Sequence, residues 1–329
     1  MTMKTYAFIG SDKNAGKTTA LSFFYRQLRQ KNRPETRLFL TSIGINGESV
    51  DAYEWTEKPT TQVRHGSWFI TAGRHLRQVE GQYRIDHVFG SPEFQVPYVM
   101  ARAESDFSVV LEGPNDKQSL MKIKAEMNRI AKNGICLLDG SIDRQFIGHP
   151  AISDGICFSL LLTSRKEQLK KARDFLTAMG LQTCSTSTET LIRQASTAET
   201  RSILFRDSGT ILYHGGKIPY LDDQLKQSCQ VHRENRRVLY LKGALSRSLY
   251  RYLSPLADLT IVLHDFTCYQ NISTATEAGS EFRPTLRIRH SVPLSYLFIK
   301  RESEAARVEL PKNVPVINLY RDNLDDFRI

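Results

Sequence analysis

"GSDKNAGKTT", residues 10–19, follows the apolar run "TYAFI" (5–9) and precedes "ALSFFYRQLRQ" (20–30). A short buried strand, a small polar loop and an amphipathic helix, in that order, are what a bound phosphate requires. Backbone N–H groups of the loop curl round the anion, and the first turn of the helix adds positive potential. The helix reading rests on Leu21, Phe24, Tyr25 and Leu28, which fall on one face. Arg26, Arg29 and Lys31 gather towards its end, where they complement the negative pole of the helix.

The common phosphate loop reads GxxxxGK[ST]. Gly16, Lys17 and Thr18 supply its end, but the earlier glycine, Gly10, lies one residue further back, with Ser11 at the usual glycine place. The longer form keeps the chemistry. Gly10, Ser11, Asp12, Lys13, Asn14, Ala15, Gly16, Lys17, Thr18 and Thr19 are the expected nucleotide-binding residues. Lys17 is expected to reach the β- and γ-phosphates as a point charge, and the Thr18 hydroxyl to ligate Mg2+. Lys13 reads equally as a contact to the terminal phosphates and as a solvated loop lysine, and Asp12 as an orienting group or a turn residue.

Magnesium also calls for a carboxylate at the end of another strand, because open α/β sheets bind ligands beyond the carboxyl ends of their strands. Two residues qualify: Asp139 in "ICLLDG" (135–140) and Glu112 in "VVLEG" (109–113). Each ends an apolar run and precedes a glycine. Asp139 is favoured as the catalytic and metal-supporting carboxylate, since "DGSIDR" continues with polar residues. "GPND" after Glu112 reads more simply as the start of a helix.

Elsewhere, continuous apolar strands alternate with helices. "RLFLTSIG" (37–44), "FSVVLEG" (107–113), "ICLLDG" and "GICFSLLLT" (155–163) read as strands. Leu120, Ile123, Met127 and Ile130 mark a helix ending at Asn133-Gly134. Ser164 and Glu167 have capping-box spacing at the head of another. The pattern predicts an α/β fold with a mostly parallel sheet covered by helices. A polar stretch, "TCSTSTETL" (183–191), suggests a boundary, giving a nucleotide-binding domain over 1–190 and a second α/β domain over 191–329. The strands "SILFR", "TILYHG", "RVLYLKG", "DLTIVLHD", "PLSYLFI" and "VPVINLY" are assigned to the second domain.

Composition excludes several classes. With 40% hydrophobic and 24% charged residues the chain is of ordinary globular balance, and its longest apolar run is too short to cross a bilayer. No secretory signal is read at the N-terminus. Five scattered cysteines without CxxC spacing fit a reduced, cytoplasmic setting. A formal charge of +10 favours acidic partners, but the basic residues are spread out and no nucleic-acid motif accompanies them. The histidines are dispersed, and His149 in "GHPAISDG" reads as a loop residue.

The loop resembles that of dethiobiotin synthetase, and "KNAGKTT" that of the nucleotide-binding adaptor of molybdopterin guanine dinucleotide synthesis. A longer resemblance is to the ATP-binding subunit of lysine 5,6-aminomutase reactivase. It runs in order through "TSIGINGESVDAYEWTEKP" (41–59), "GSWFITAGRHL" (66–76), "VMARAESD" (99–106), "LEGPND" (111–116), "GICLLDGSIDRQFIGHPAISDGICFSLLL" (134–162) and "LYLKGALSRSLYRYL" (239–253). That resemblance implies a Mg-dependent ATPase serving a cobalamin- and pyridoxal-phosphate-dependent aminomutase, which it opens so that damaged cobalamin is released. It implies Lys17, Thr18 and Asp139 as the Mg-ATP residues. Thr41 to Glu48 and the "LEGPND" loop would couple the nucleotide to the partner. A second reactivase subunit is a further assembly it implies, and the likeness to dethiobiotin synthetase and the adaptor implies a homodimer. The loop alone also suits an ATP-dependent small-molecule ligase or kinase, or a nucleotide-binding adaptor.

Overall fold

The computed structural model describes residues 3–12, 14–30, 36–45, 60–90, 92, 94, 96–140, 147, 149–231, 236–256, 258–269, 272, 284–303 and 307–322. Along the chain come β1 (Lys4–Gly10), α1 (Lys17–Gln30), β2 (Leu38–Ser42), β3 (Gly44–Ile45), β4 (Thr61–Val63), β5 (Trp68–Ala72), β6 (Tyr83–Phe89), β7 (Tyr98–Ala103), β8 (Phe107–Val109), β9 (Glu112–Gly113), α2 (Lys117–Ile130), β10 (Ile135–Asp139) and β11 (Gly155–Leu162). Then follow α3 (Lys166–Met179), α4 (Thr186–Ala195), β12 (Ser202–Arg206), β13 (Ile211–Gly215), α5 (Asp223–Val231), β14 (Arg237–Leu241), α6 (Arg247–Leu253), β15 (Leu259–Leu263), β16 (Thr285–Ile288), β17 (Leu294–Arg301) and β18 (Val316–Asn318).

The chain divides into two units. Unit 1 comprises Met1–Leu162, Pro293–Glu304 and Asn313–Ile329; unit 2 comprises Thr163–Val292 and Ala305–Lys312. This corrects the expected division at 190. The first crossing falls at the end of β11, and β17 and β18 return to unit 1, where β11 still offers an unpaired edge.

Unit 1 is a nine-stranded sheet in the order β18-β17-β11-β1-β10-β2-β5-β7-β6. From β18 to β5 all neighbours are parallel, and β7 runs antiparallel between β5 and β6. The fold is therefore mixed α/β with a mostly parallel sheet, as expected. Alternate residues of the strands feed two cores. Phe8, Leu38, Leu40 and Leu137 pack with Ala20, Leu21, Phe23 and Phe24 of α1. Phe39, Cys136, Trp68 and Ile70 pack with Ile123 and Met127 of α2. The two helices thus cover opposite faces. Chain order then fixes a switch point: β1 leads through α1 to β2 on one side, whereas β10 leads to β11 on the other. Ligand crevices open beyond the carboxyl ends of strands at such a point.

Three local expectations fail for identifiable reasons. "FSVVLEG" is not one strand. β8 pairs with β4 and β9 with β3, and Thr71 holds the break by donating to Val110 O at 2.7 Å and accepting from Glu112 N–H at 3.2 Å. The Ser164 capping box does not form. α3 starts at Lys166 without a side-chain cap, and Thr163 Oγ1 accepts from the Arg165 N–H at 3.0 Å instead. α2 ends at Ile130, short of Asn133-Gly134. Gly134 is small because the chain passes Phe39 there, where a Cβ would lie 3.0 Å from the ring.

Unit 2 holds a five-stranded sheet in the order β13-β12-β14-β15-β16. β13, β12 and β14 are antiparallel neighbours, and β14, β15 and β16 are parallel. Beyond its parallel strands Arg289 grips Glu189 with two bonds of 2.8 and 3.0 Å, and the Tyr240 hydroxyl meets His264 Nδ1 at 2.7 Å. No helix among the described residues is long and apolar enough to cross a membrane.

Candidate phosphate-binding site

The loop between β1 and α1 lies beyond the carboxyl end of β1, at the switch point. Its backbone is shaped by two left-handed residues, Asn14 (φ 62°) and Gly16 (φ 87°). Asparagine tolerates that region and glycine enters it freely, so "NAG" turns sharply into the helix. The Ala15 N–H donates to Asp12 O at 3.3 Å and closes the curl. Ser11, at the place where a glycine is usual, ties the loop to β11. Its N–H donates to Ser159 O at 2.9 Å, and its Oγ accepts from the Leu161 N–H at 3.0 Å. The extra residue therefore has a job: it anchors the lengthened loop to the sheet. Lys13 lies outside the described residues.

α1 begins at Lys17, so the N–H groups of its first turn have no intrahelical acceptor and point out of the helix end. Thr18 is half-buried and Thr19 exposed at this end. The Lys17 ammonium lies 2.7 Å from Asp139 Oδ1 and donates to Gly140 O at 2.8 Å. Asp139 ends β10, pairs with Phe8 of β1, and is 1% exposed. A buried carboxylate is costly without a compensating cation, and Lys17 supplies one while remaining 27% exposed itself. Sequence reasoning placed Lys17 in the phosphate loop and Asp139 at a strand end; the fold brings them into contact. Residues 141–146, the rest of "DGSIDR", lie outside the described residues.

Glu112 sits in the β3–β9 ribbon, beyond the end of β2. Gly113 is obligatory there, since a Cβ would fall 1.8 Å from Ser42 O. The Glu112 carboxylate is 5% exposed. Arg74 grips it from both oxygens, at 2.6 Å from Oε1 and 2.7 Å from Oε2 through one nitrogen and 3.0 Å through Nε. His75 Nε2 lies 2.7 Å from Oε2. Burial, and next the negative charge of Glu112, push the nearby Tyr98 hydroxyl up to about 12. Arg74 and His75 follow β5 in "GRHL", the end of a stretch quoted for the resemblance without a role for either residue.

Two further residues border the loop unannounced. Lys300, in β17, donates to Asn14 O at 3.1 Å. Tyr320, two residues beyond β18, lies over Gly16: a Cβ there would be 3.5 Å from Tyr320 Oη and 3.5 Å from Leu319 Cδ1. Their only sequence signal was position at the ends of apolar strands, and those strands had been read as part of another domain.

No protein-family model matches the chain, and no curated protein matches it. Among solved structures, a ParA family ATPase from Chlorobium tepidum TLS aligns with 54% of this chain and 67% of its own, at 14% sequence identity and a TM-score of 0.26. A likeness at that level leaves the loop's own geometry to carry the functional reading.

Proposed function

We propose that the chain binds and hydrolyses a Mg2+–nucleoside triphosphate, ATP by sequence resemblance, at the loop of residues 10–19. The observation that carries this is the Lys17 ammonium, held between Asp139 Oδ1 and Gly140 O at the start of α1. A single flexible ammonium is a compensating charge that can leave. Turned to a phosphate, Lys17 would free Asp139 to support a divalent cation together with the Thr18 hydroxyl. The donor set, one hydroxyl and one buried carboxylate, suits a hard oxygen-loving cation that keeps most of its waters. Mg2+ there would neutralise charge on the transferring phosphoryl group. Lys17 would hold the terminal phosphates, the first-turn N–H groups would orient them, and Ser11 would keep the loop in place.

The use of the hydrolysis is the finer part of the proposal: reactivation of a cobalamin-dependent aminomutase, with a second reactivase subunit or a homodimer as the working assembly. Its support is the ordered sequence resemblance, which extends into unit 2 through "LYLKGALSRSLYRYL" (239–253). The charge and exposed apolar side chains of unit 2 are a second support for a protein partner. Unit 2 holds 21 Lys and Arg against 13 Asp and Glu, so +8 of the chain's +10. It also exposes Ile218, Tyr220 and Leu221 together in one turn. A net positive charge together with an exposed apolar turn supports an acidic protein face as the partner surface.

The test measures Mg-ATP binding and turnover alone and with aminomutase whose cobalamin has been damaged, fresh adenosylcobalamin being supplied. Expected are binding that is lost in Lys17→Ala and slow turnover that rises with the damaged client, whose activity returns. Wild-type hydrolysis by Lys17→Ala would sink the loop reading. Turnover indifferent to the client, with no recovery, would sink the reactivase reading and leave a ligase, kinase or adaptor.

A further inference from the structure

Resting on the nucleotide reading, we infer that Tyr320 is the platform on which the nucleobase stacks, braced by Lys300. A nucleoside triphosphate is anionic at one end and aromatic at the other. Lys17 and the first turn of α1 account for the anionic end and leave the aromatic end without a partner. Tyr320 is an exposed ring, 55% accessible, on the rim of the same loop. Its Oη and Cε2 would be 3.5 and 3.8 Å from a Cβ on Gly16, so the ring stands directly beside the phosphate loop.

The ring is presented by a fixed turn. The Asn318 N–H donates to Asp322 Oδ2 at 2.7 Å, the Tyr320 N–H to Asn318 Oδ1 at 3.2 Å, and the Asp322 N–H to Asn318 O at 3.1 Å. Leu319, between them, is buried in the core that α1 packs against. Tyr320 thus projects from a turn whose neighbours are locked, and its own side chain is left to solvent. Lys300 ties ring and loop together. Its ammonium donates to Asn14 O and lies 5.7 Å from the centre of the Tyr320 ring, within cation–π range. β17, which carries Lys300, and β18, which leads into Tyr320, belong to the same sheet as β1. Aromatic side chains stack every base with little regard for its identity. This platform therefore predicts affinity for a base, with weak discrimination among bases.

The experiment is calorimetric titration of Mg-ATP and, separately, Mg-tripolyphosphate into the full-length wild type, Tyr320→Ala and Tyr320→Phe. Tripolyphosphate carries the anionic end alone. Tyr320→Ala should weaken ATP about tenfold or more, in line with stacking losses at single bases, and leave tripolyphosphate within about twofold. Tyr320→Phe, which keeps the ring, should bind both nearly as the wild type does. Equal weakening of both ligands, or of neither, by Tyr320→Ala overturns the platform. So does a wild type that binds tripolyphosphate as tightly as ATP, although the phosphate loop then stands. A wild type that binds neither ligand overturns the nucleotide reading, and the platform with it.

Discussion

Asp139, at the end of β10, and Glu112, in the β3–β9 ribbon beyond the end of β2, are both buried carboxylates, 1% and 5% exposed, yet they are held in opposite ways. Asp139 has the Lys17 ammonium at 2.7 Å, at the tip of a flexible side chain that is 27% exposed. Glu112 has a guanidinium fork across both oxygens and an imidazole at 2.7 Å. A planar fork is geometrically committed to its carboxylate, whereas an ammonium is a point charge that can move between acceptors. The difference separates a carboxylate whose counter-charge is a point ammonium from one held by a directional fork. Asp139 is therefore proposed for the metal and Glu112 for the architecture, where it pins the segment after β5 to the β3–β9 ribbon. The expectation that Glu112 ligates magnesium is accordingly not carried into the proposed function.

The largest effect should come from Lys17→Ala. Nucleotide binding should fall by about 2–5 kcal/mol or beyond detection, as for removing one member of a desolvated charge pair. The same substitution takes the Lys17 ammonium away from buried Asp139, so urea unfolding should report a loss of about 3 kcal/mol, the lower end for a broken buried pair because Lys17 is partly solvated. Lys17→Ala combined with Asp139→Asn should recover most of that stability and none of the binding. If the double variant is no more stable than the single one, the pair does not compensate Asp139, and the contrast with Glu112 collapses.

Glu112→Gln sharpens the contrast from the other side. It keeps the volume and removes the charge that Arg74 and His75 share. Stability should fall by about 2 kcal/mol, the scale of hydrogen bonds to charged groups, with the Kd for Mg-ATP unchanged within about twofold. A tenfold rise in that Kd without a change in unfolding midpoint would move Glu112 into the metal site.

What the sequence disclosed was what is local. The phosphate loop, its flanking strand and its helix span fewer than 30 residues, and every cue, from "TYAFI" to the Leu21–Leu28 face, lies within them. Asp139 was legible because an apolar run that ends in Asp-Gly marks a strand end wherever the strand docks. The docking itself was not legible. β17 and β18 are apolar runs like β14 and β15, and their return to unit 1 is decided by the free edge of β11, a pairing at long sequence separation with no local trace. Tyr320 and Lys300 went unread for that reason. Arg74 and His75 fell inside a stretch quoted for the resemblance but received no role, because "GRHL" carries no spacing signal and only the Glu112 carboxylate gives the two residues a shared purpose.

Asp106 is the control for both buried carboxylates, and the smallest effect belongs to it. It lies on the surface, where the His65 N–H at 2.7 Å, and next the Arg64 guanidinium at 2.7 Å, hold its carboxyl below the ordinary value of 3.8. Because the folded value lies below the unfolded one, the contribution to stability is present above the unfolded value and is lost as pH falls through the folded one. Asp106→Asn should therefore be slightly less stable than the wild type at neutral pH, by less than about 1 kcal/mol as for exposed ion pairs, and should converge with it in acid. Carboxyl NMR titration of Asp106 should find a midpoint below 3.8. If Asp106→Asn instead costs as much as Glu112→Gln, burial is not what sets the two apart. The strength assigned to the Arg74 fork would then have to come from hydrogen-bond geometry alone.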